Sequence, residues 1–157
     1  MQRWTAHPFL TLLLVAACYQ DPAVPKQRDE IILRLTASKA AIRPGEADTI
    51  IVTATNNFGD QVSITFPNDC QVFAFIRDPR GRVVTPGRGW NCLPRPATMT
   101  LAKDESRRFT FVWTGLTEFV GTLQPSTLPP GEYFATATLQ SGSFAVHAPP
   151  VRVILQP

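Results

Sequence analysis

From residue 31 onward, apolar side chains fall at every second position in short runs, and each run is closed by a turn signal. Ile31, Leu33 and Leu35 alternate with polar neighbours, and Val62, Ile64 and Phe66 do the same. A period of two is that of a strand with one buried face, and it does not suit the 3.6-residue period of a helix. Between these runs, Arg43-Pro44-Gly45-Glu46 reads as a turn. Thr49 to Asn56 is rich in β-branched residues, and Asn57-Phe58-Gly59-Asp60 closes it. Val72, Phe73, Phe75 and Ile76 run into Asp78-Pro79-Arg80-Gly81, whose Asp, Pro and Gly suit the first, second and fourth places of a type I turn. Arg82 to Thr85 is the return arm, after which a Pro/Gly-rich stretch over 86–96 breaks the sheet.

Met99 and Leu101 mark another short strand. Arg107 to Trp113 follows, with Phe109, Phe111 and Trp113 on one face and Arg108, Thr110 and Val112 on the other. The first three are expected in the core. Leu128-Pro129-Pro130-Gly131 turns the chain into a strand from Tyr133 to Leu139. Ser141-Gly142 turns it again, and Ser143–His147 and Val151–Leu155 finish the sheet. No stretch holds a helical repeat. About eight or nine short strands punctuated in this way predict an all-β fold, an Ig-like antiparallel β-sandwich, in one domain over 31–157.

Composition agrees where it matters. Of 157 residues, 44% are hydrophobic and 17% charged, which excludes a disordered chain. The formal charge of +3 is too small to argue for nucleic acid, so no nucleic-acid partner is expected.

The N-terminus carries an address. Arg3 and the initiator amine precede the apolar run from Phe9 to Val15, which is far too short to span a bilayer as a helix. Val15-Ala16-Ala17-Cys18 resembles the lipobox of bacterial lipoproteins, in which the cysteine is lipidated and becomes the first mature residue. That resemblance implies a signal peptide over 1–17 and lipidation at Cys18. Residues 18–30 then comprise the lipidated cysteine and a polar tether containing Pro22 and Pro25. It also implies a cell-envelope location. Tyr19, where Asp would favour the inner membrane, points to the outer membrane or cell surface.

Removing Cys18 to lipid leaves Cys70 and Cys92, one pair in an exported protein, and a disulfide is expected between them. His147 is the only histidine past the signal segment, so neither a Cys/His metal site nor a Ser-His-Asp triad has its ligands or base. No Gly-x-Ser-x-Gly, Ser-x-x-Lys, phosphate-loop or calcium-loop pattern is present. The expectation is a non-enzymatic chain with no cofactor and no metal.

The stretch from Arg77 to Arg95 has two readings. Arg80, Arg82, Arg88 and Arg95 around Trp90 are residue types that anchor protein interfaces, which makes these five the candidate partner-binding residues. The other reading is a solvated Arg-rich hairpin, with Trp90 tucked into the core beside Cys70 and Cys92.

Several phrases carry a family resemblance. Leu128-Pro129-Pro130-Gly131-Glu132-Tyr133 resembles the segment before a late strand of Ig-like sandwiches, where the tyrosine folds back as a tyrosine corner. Val52-Thr53-Ala54-Thr55-Asn56-Asn57 and Val62-Ser63-Ile64-Thr65-Phe66 resemble consecutive strands of the BsuPI-type intracellular proteinase inhibitor family. Phe73-Ala74-Phe75-Ile76-Arg77-Asp78, Gly81, Trp90, Phe109-Thr110-Phe111-Val112-Trp113 and the Pro-Gly-x-Tyr phrase follow in that family's order, over residues 48–139. The resemblance implies the Ig-like fold and a non-catalytic protein-binding domain with an envelope protein such as a protease as partner; a monomer is assumed. Export, lipidation and the two cysteines depart from the family pattern. The alternative is a carbohydrate- or envelope-surface-binding scaffold, for which Trp90, Phe58 and Phe119 are the candidate exposed aromatics.

Overall fold

The computed structural model describes residues 30–121 and 125–157; the expected signal segment, Cys18 and the tether up to residue 29 lie outside them. Eleven strands follow in order: β1 Ile31–Ala37, β2 Ala41–Ile42, β3 Asp48–Asn56, β4 Val62–Phe66, β5 Val72–Arg77, β6 Val83–Thr85, β7 Ala97–Leu101, β8 Ser106–Trp113, β9 Gly131–Gln140, β10 Ala145–His147 and β11 Val151–Leu155. The fold is an all-β sandwich, as the alternation predicts, with more strands than the eight or nine expected. The additional ones are short. β2 has two residues and β10 three, and neither is long enough to show a period.

Three sheets share the chain. β1-β3-β8 form one, β2-β11-β9-β5-β6 with β10 also on β9 form the largest, and β4 pairs β7 in a third. All pairings are antiparallel except β2 with β11. Alternation decides which side faces in. On β3, Asp48, Ile50, Val52, Ala54 and Asn56 are buried, and on β9 Tyr133, Ala135, Ala137 and Leu139 are. β4 adds Val62, Ile64 and Phe66, and β7 adds Met99 and Leu101, to one continuous core.

The expectation for Phe109, Phe111 and Trp113 holds in direction and differs in depth. In register they oppose Val52, Ile50 and Asp48, so all three point inward. Trp113 is fully buried, while Phe109 and Phe111 are half-buried. The reason is position: β8 is an edge strand, so its inward side chains have neighbours on one flank only.

Buried polar groups tie the strand ends together. The Asn56 amide donates to the carbonyls of Asp60, Leu101 and Ala102, and its oxygen accepts from the Phe58 amide at 2.9 Å. One fully buried side chain therefore joins the end of β3, the β3–β4 loop and the end of β7. Asp48 Oδ1 accepts from the Ser38 hydroxyl (2.7 Å) and the Lys39 amide (3.0 Å), holding the turn after β1. Gly115 has φ +75°, and a Cβ there would lie 2.6 Å from Leu155 Cδ1, so both backbone and space demand glycine.

The tyrosine corner is present. Tyr133 is buried, its hydroxyl donates to the Pro129 carbonyl at 2.7 Å, and its ring meets Trp113 edge-on. Burial, with the Asp78 charge adding to it, pushes the Tyr133 phenol above its ordinary range, so the hydroxyl keeps its proton and stays a donor. Tyr133→Phe leaves the ring and removes the bond. It should destabilise the domain by about 1–3 kcal/mol in urea melts near neutral pH. The difference from wild type should be full below the ordinary tyrosine pKa and shrink as pH rises through the raised folded value.

Candidate functional site

The β5–β6 hairpin places two of the four candidate arginines. Asp78-Pro79-Arg80-Gly81 is the expected turn, closed by the Gly81 amide donating to the Asp78 carbonyl at 2.8 Å with Gly81 at φ +80°. Asp78 Oδ1 accepts from the Arg80 and Arg82 amides, and its Oδ2 lies 2.7 Å from both Nε and Nη2 of Arg82. Burial works against the Asp78 charge. The hydrogen bonds from Arg82 and Arg80 outweigh it and hold the carboxyl below its usual range. Arg82 is therefore engaged with Asp78, while Arg80 stands exposed at the tip.

The irregular stretch over 86–96 is held along its whole course. Thr85–Pro86 is a cis peptide bond. The Thr85 hydroxyl donates to the Leu116 carbonyl (2.7 Å), the Gly87 amide to Thr117 (2.7 Å), and the Arg88 amide to Oε1 of the buried Glu118 (3.0 Å). At the far end, the Cys70–Cys92 disulfide joins the loop to the start of β5 with Cα atoms 5.5 Å apart. One residue further, Asp69 clamps Leu93 from both sides: its carboxylate accepts from the Leu93 amide at 2.8 Å, and its own amide donates to the Leu93 carbonyl.

Trp90 lies between these two fastenings. Its ring is 6.0 Å from Phe73, 5.5 Å from Phe111 and 5.8 Å from Phe119, the first two contacts edge-on and the third stacked. Phe73 belongs to the larger sheet and Phe111 to the β1-β3-β8 sheet, so the indole bridges the side opening between them. Beyond it, Trp90, Phe111, Phe119 and the exposed Val120 line a groove of about 430 Å³. The indole is half-buried against the core, so it serves packing as well as surface.

The five candidate residues do not converge on one spot. Arg80 and Arg82 sit past one end of β5, Arg95 lies near the disulfide at the other, and Arg88 and Trp90 lie between. Six strand residues separate the ends by roughly 20 Å. They form a strip along one edge of the sandwich. Leu93, 55% exposed, and the clamping Asp69 belong to this strip and carry no pattern a sequence reading detects. Asp69, Cys70 and Cys92 bring three potential metal-ligand atoms within 4.8 Å of one another. The two sulfurs are bonded to each other, so the cluster offers one carboxylate and no thiolate.

Breaking the disulfide releases one fastening and leaves the core intact. Cys92→Ser should lower stability by roughly 3 kcal/mol for a loop of this length and leave the domain folded. Limited proteolysis should then begin between Pro86 and Pro96, and the same segment should resist cleavage in the oxidised protein.

No family model and no curated protein matches this sequence. Among solved structures, the chain is similar to a Pseudomonas fluorescens alkylpurine DNA glycosylase bound to DNA containing an abasic-site analogue. The identity is 10% and the TM-score 0.49, over 82% of this chain and 31% of that one. It is similar to a Listeria innocua β-glucosidase in complex with glucose (14%, TM-score 0.46, 81% of this chain and 16% of that one). A CARDB domain from Pyrococcus furiosus in complex with di-metal ions overlaps at 16% identity and TM-score 0.44, over 80% of this chain and 86% of that one. The chain thus spans about a third of the glycosylase and about a sixth of the glucosidase. At these identities and scores, no activity, ligand or metal is carried over to it.

Proposed function

We propose that this chain is a membrane-anchored lipoprotein, lipidated at Cys18, whose sandwich is a non-catalytic protein-binding domain that restrains an envelope protease. The observation that carries the reading is the loop over 86–96. An irregular segment on an exposed edge is fastened by the Gly87 and Arg88 amides donating to the Thr117 carbonyl and the Glu118 carboxylate, by Trp90, by the disulfide and by the Asp69 clamp. Ordering such a segment in advance lowers the entropy lost on binding, which favours tight association with a protein surface. Leu93 and Arg95 are exposed on that fixed frame. Prolines 94 and 96 follow Leu93 and Arg95, and the peptide bonds they form are poor substrates for cleavage. The anchor reading rests on the lipobox resemblance alone.

A panel of serine and metalloproteases assayed with the full chain in detergent tests the partner class. At least one protease should be inhibited, and Leu93→Asp or Arg95→Glu should weaken inhibition about tenfold or more, ~1.4 kcal/mol, without changing the melting midpoint. Inhibition of none removes the protease reading. Labelled fatty acid should enter the wild type and not Cys18→Ser.

A further inference from the structure

The outer edge of β8 is bare. Its register with β3 sets Phe111 opposite Ile50, Phe109 opposite Val52 and Arg107 opposite Ala54, and the Asn56 amide donates to the Glu105 carbonyl at 2.9 Å. Successive residues of a strand turn their backbone polar groups to opposite flanks. Those of Glu105, Arg107, Phe109 and Phe111 therefore face β3, and those of Arg108 and Thr110 face away from it. The Val112 carbonyl, on the outward flank, accepts from the Val120 amide at 2.9 Å, which agrees with this alternation and closes the edge at that end. Among the described residues no strand pairs β8 on its outward flank, so the amides and carbonyls of Arg108 and Thr110 have no backbone partner.

The groove of about 430 Å³ beside Trp90 runs along the same edge. Its wall includes Thr110, Phe111 and Val112, consecutive residues whose side chains alternate between faces, so it lies beside the strand and not over one face. Further along, Arg107 and Arg108 are exposed, one on each face, and neither is in an ion pair among the described residues. β8 itself carries no carboxylate. Of the two acids in the preceding turn, Glu105 accepts from the Ala102 amide at 2.7 Å and Asp104 adjoins Lys103.

We propose that this edge captures an extended, acidic peptide segment of a partner protein, which adds to the β1-β3-β8 sheet as a fourth strand. Donors and acceptors at strand spacing are matched by a second extended backbone, which neither a lipid nor a sugar supplies. Running antiparallel, the more stable arrangement, the segment exchanges hydrogen bonds with Arg108 and Thr110. Its residue opposite Phe111 points the same way as that ring, and an apolar side chain there fills the groove between Trp90 and Phe119. Three and four positions later its side chains lie beside Arg108 and Arg107, where carboxylates are favoured. The same arginines disfavour a second copy of this chain. An antiparallel pair of β8 strands bonded through Arg108 and Thr110 brings four guanidiniums onto one short ribbon with no carboxylate on either strand. Leu93 and Arg95 do not line the groove, so this surface stands whether or not the loop restrains a protease.

A blocked heptapeptide, Thr-Leu-Thr-Thr-Asp-Asp-Thr, sets leucine opposite Phe111 and the two aspartates opposite Arg108 and Arg107. Titrated into the full chain in detergent, it should bind with a change in tryptophan fluorescence. N-methylation of its third residue, whose amide faces β8, should weaken binding about tenfold or more, and N-methylation of its fourth, whose amide faces away, should leave it unchanged. Lysines in place of the aspartates, or serine in place of the leucine, should weaken it similarly. Thr110→Pro removes an outward amide and should weaken the parent peptide to the same degree. If that variant does not fold, Arg108→Glu, an exposed position, takes its place and should also bind the lysine peptide better than wild type does. No binding of the parent peptide overturns the proposal. Equal binding of the two N-methylated forms overturns it as well, because contact would then bypass the strand edge. Equal binding of the lysine peptide overturns its acidic part. A dimer in sedimentation that Thr110→Pro dissociates assigns the edge to a second copy and overturns the peptide.

Discussion

Trp90 touches three phenylalanines from three separate parts of the chain: Phe73 on β5, Phe111 on β8, and Phe119 in the segment after β8. A sandwich of two open sheets leaves its flanks uncovered, and here β6 pairs β5 only near Ile76 and Arg77, leaving the start of that strand bare. The indole fills that flank. Because it comes from an irregular loop, the loop has to follow one path for the ring to arrive there. The fastenings at Thr117, Glu118, Cys70 and Asp69 set that path. Packing and loop order are therefore one interaction seen from two sides.

What this arrangement supplies is a fixed surface along one edge. The loop cannot sample many shapes without withdrawing Trp90 from contact with rings in both sheets, a loss of aromatic packing worth more than the gain of one mobile side chain. The same indole borders the depression beside Phe73 and Phe75 on the outer face and the groove beside Val120. Two surfaces, one lined by Phe111, Phe119 and Val120 and one by Phe73, Phe75, Thr138 and His147, thus share one wall.

Much of the fold was legible because it rests on local alternation. β1, β3, β4 and β9 alternate buried and less buried residues without a break, and the Asp78–Gly81 and Tyr133 phrases are short-range turn chemistry. β2 was not legible, since two residues have no period, and its pairing with β11 joins distant segments. The depth of Phe109 and Phe111 was overestimated, because alternation tells which face a residue takes and not whether its strand lies at an edge. Asn56 appears in a recognisable phrase, but its role depends on carbonyls at 101 and 102 that only the folded chain brings near. The candidate site was the least legible part. Five residues close in sequence spread along a strand's length, while Asp69 and Glu118, which fix the loop, come from outside it.

The central claim is that the loop over 86–96 is as ordered as the strands it covers, and amide hydrogen exchange in the oxidised protein tests it most directly. The amides of Gly87, Arg88 and Leu93 each donate to a partner outside the loop. They should exchange slowly, within an order of magnitude of the amides in β5, and should become fast together in Trp90→Ala while the β9 amides stay protected. Exchange of those three amides in the wild type at the rate of an unstructured peptide would contradict the account, because the loop would then be free and the indole no wedge.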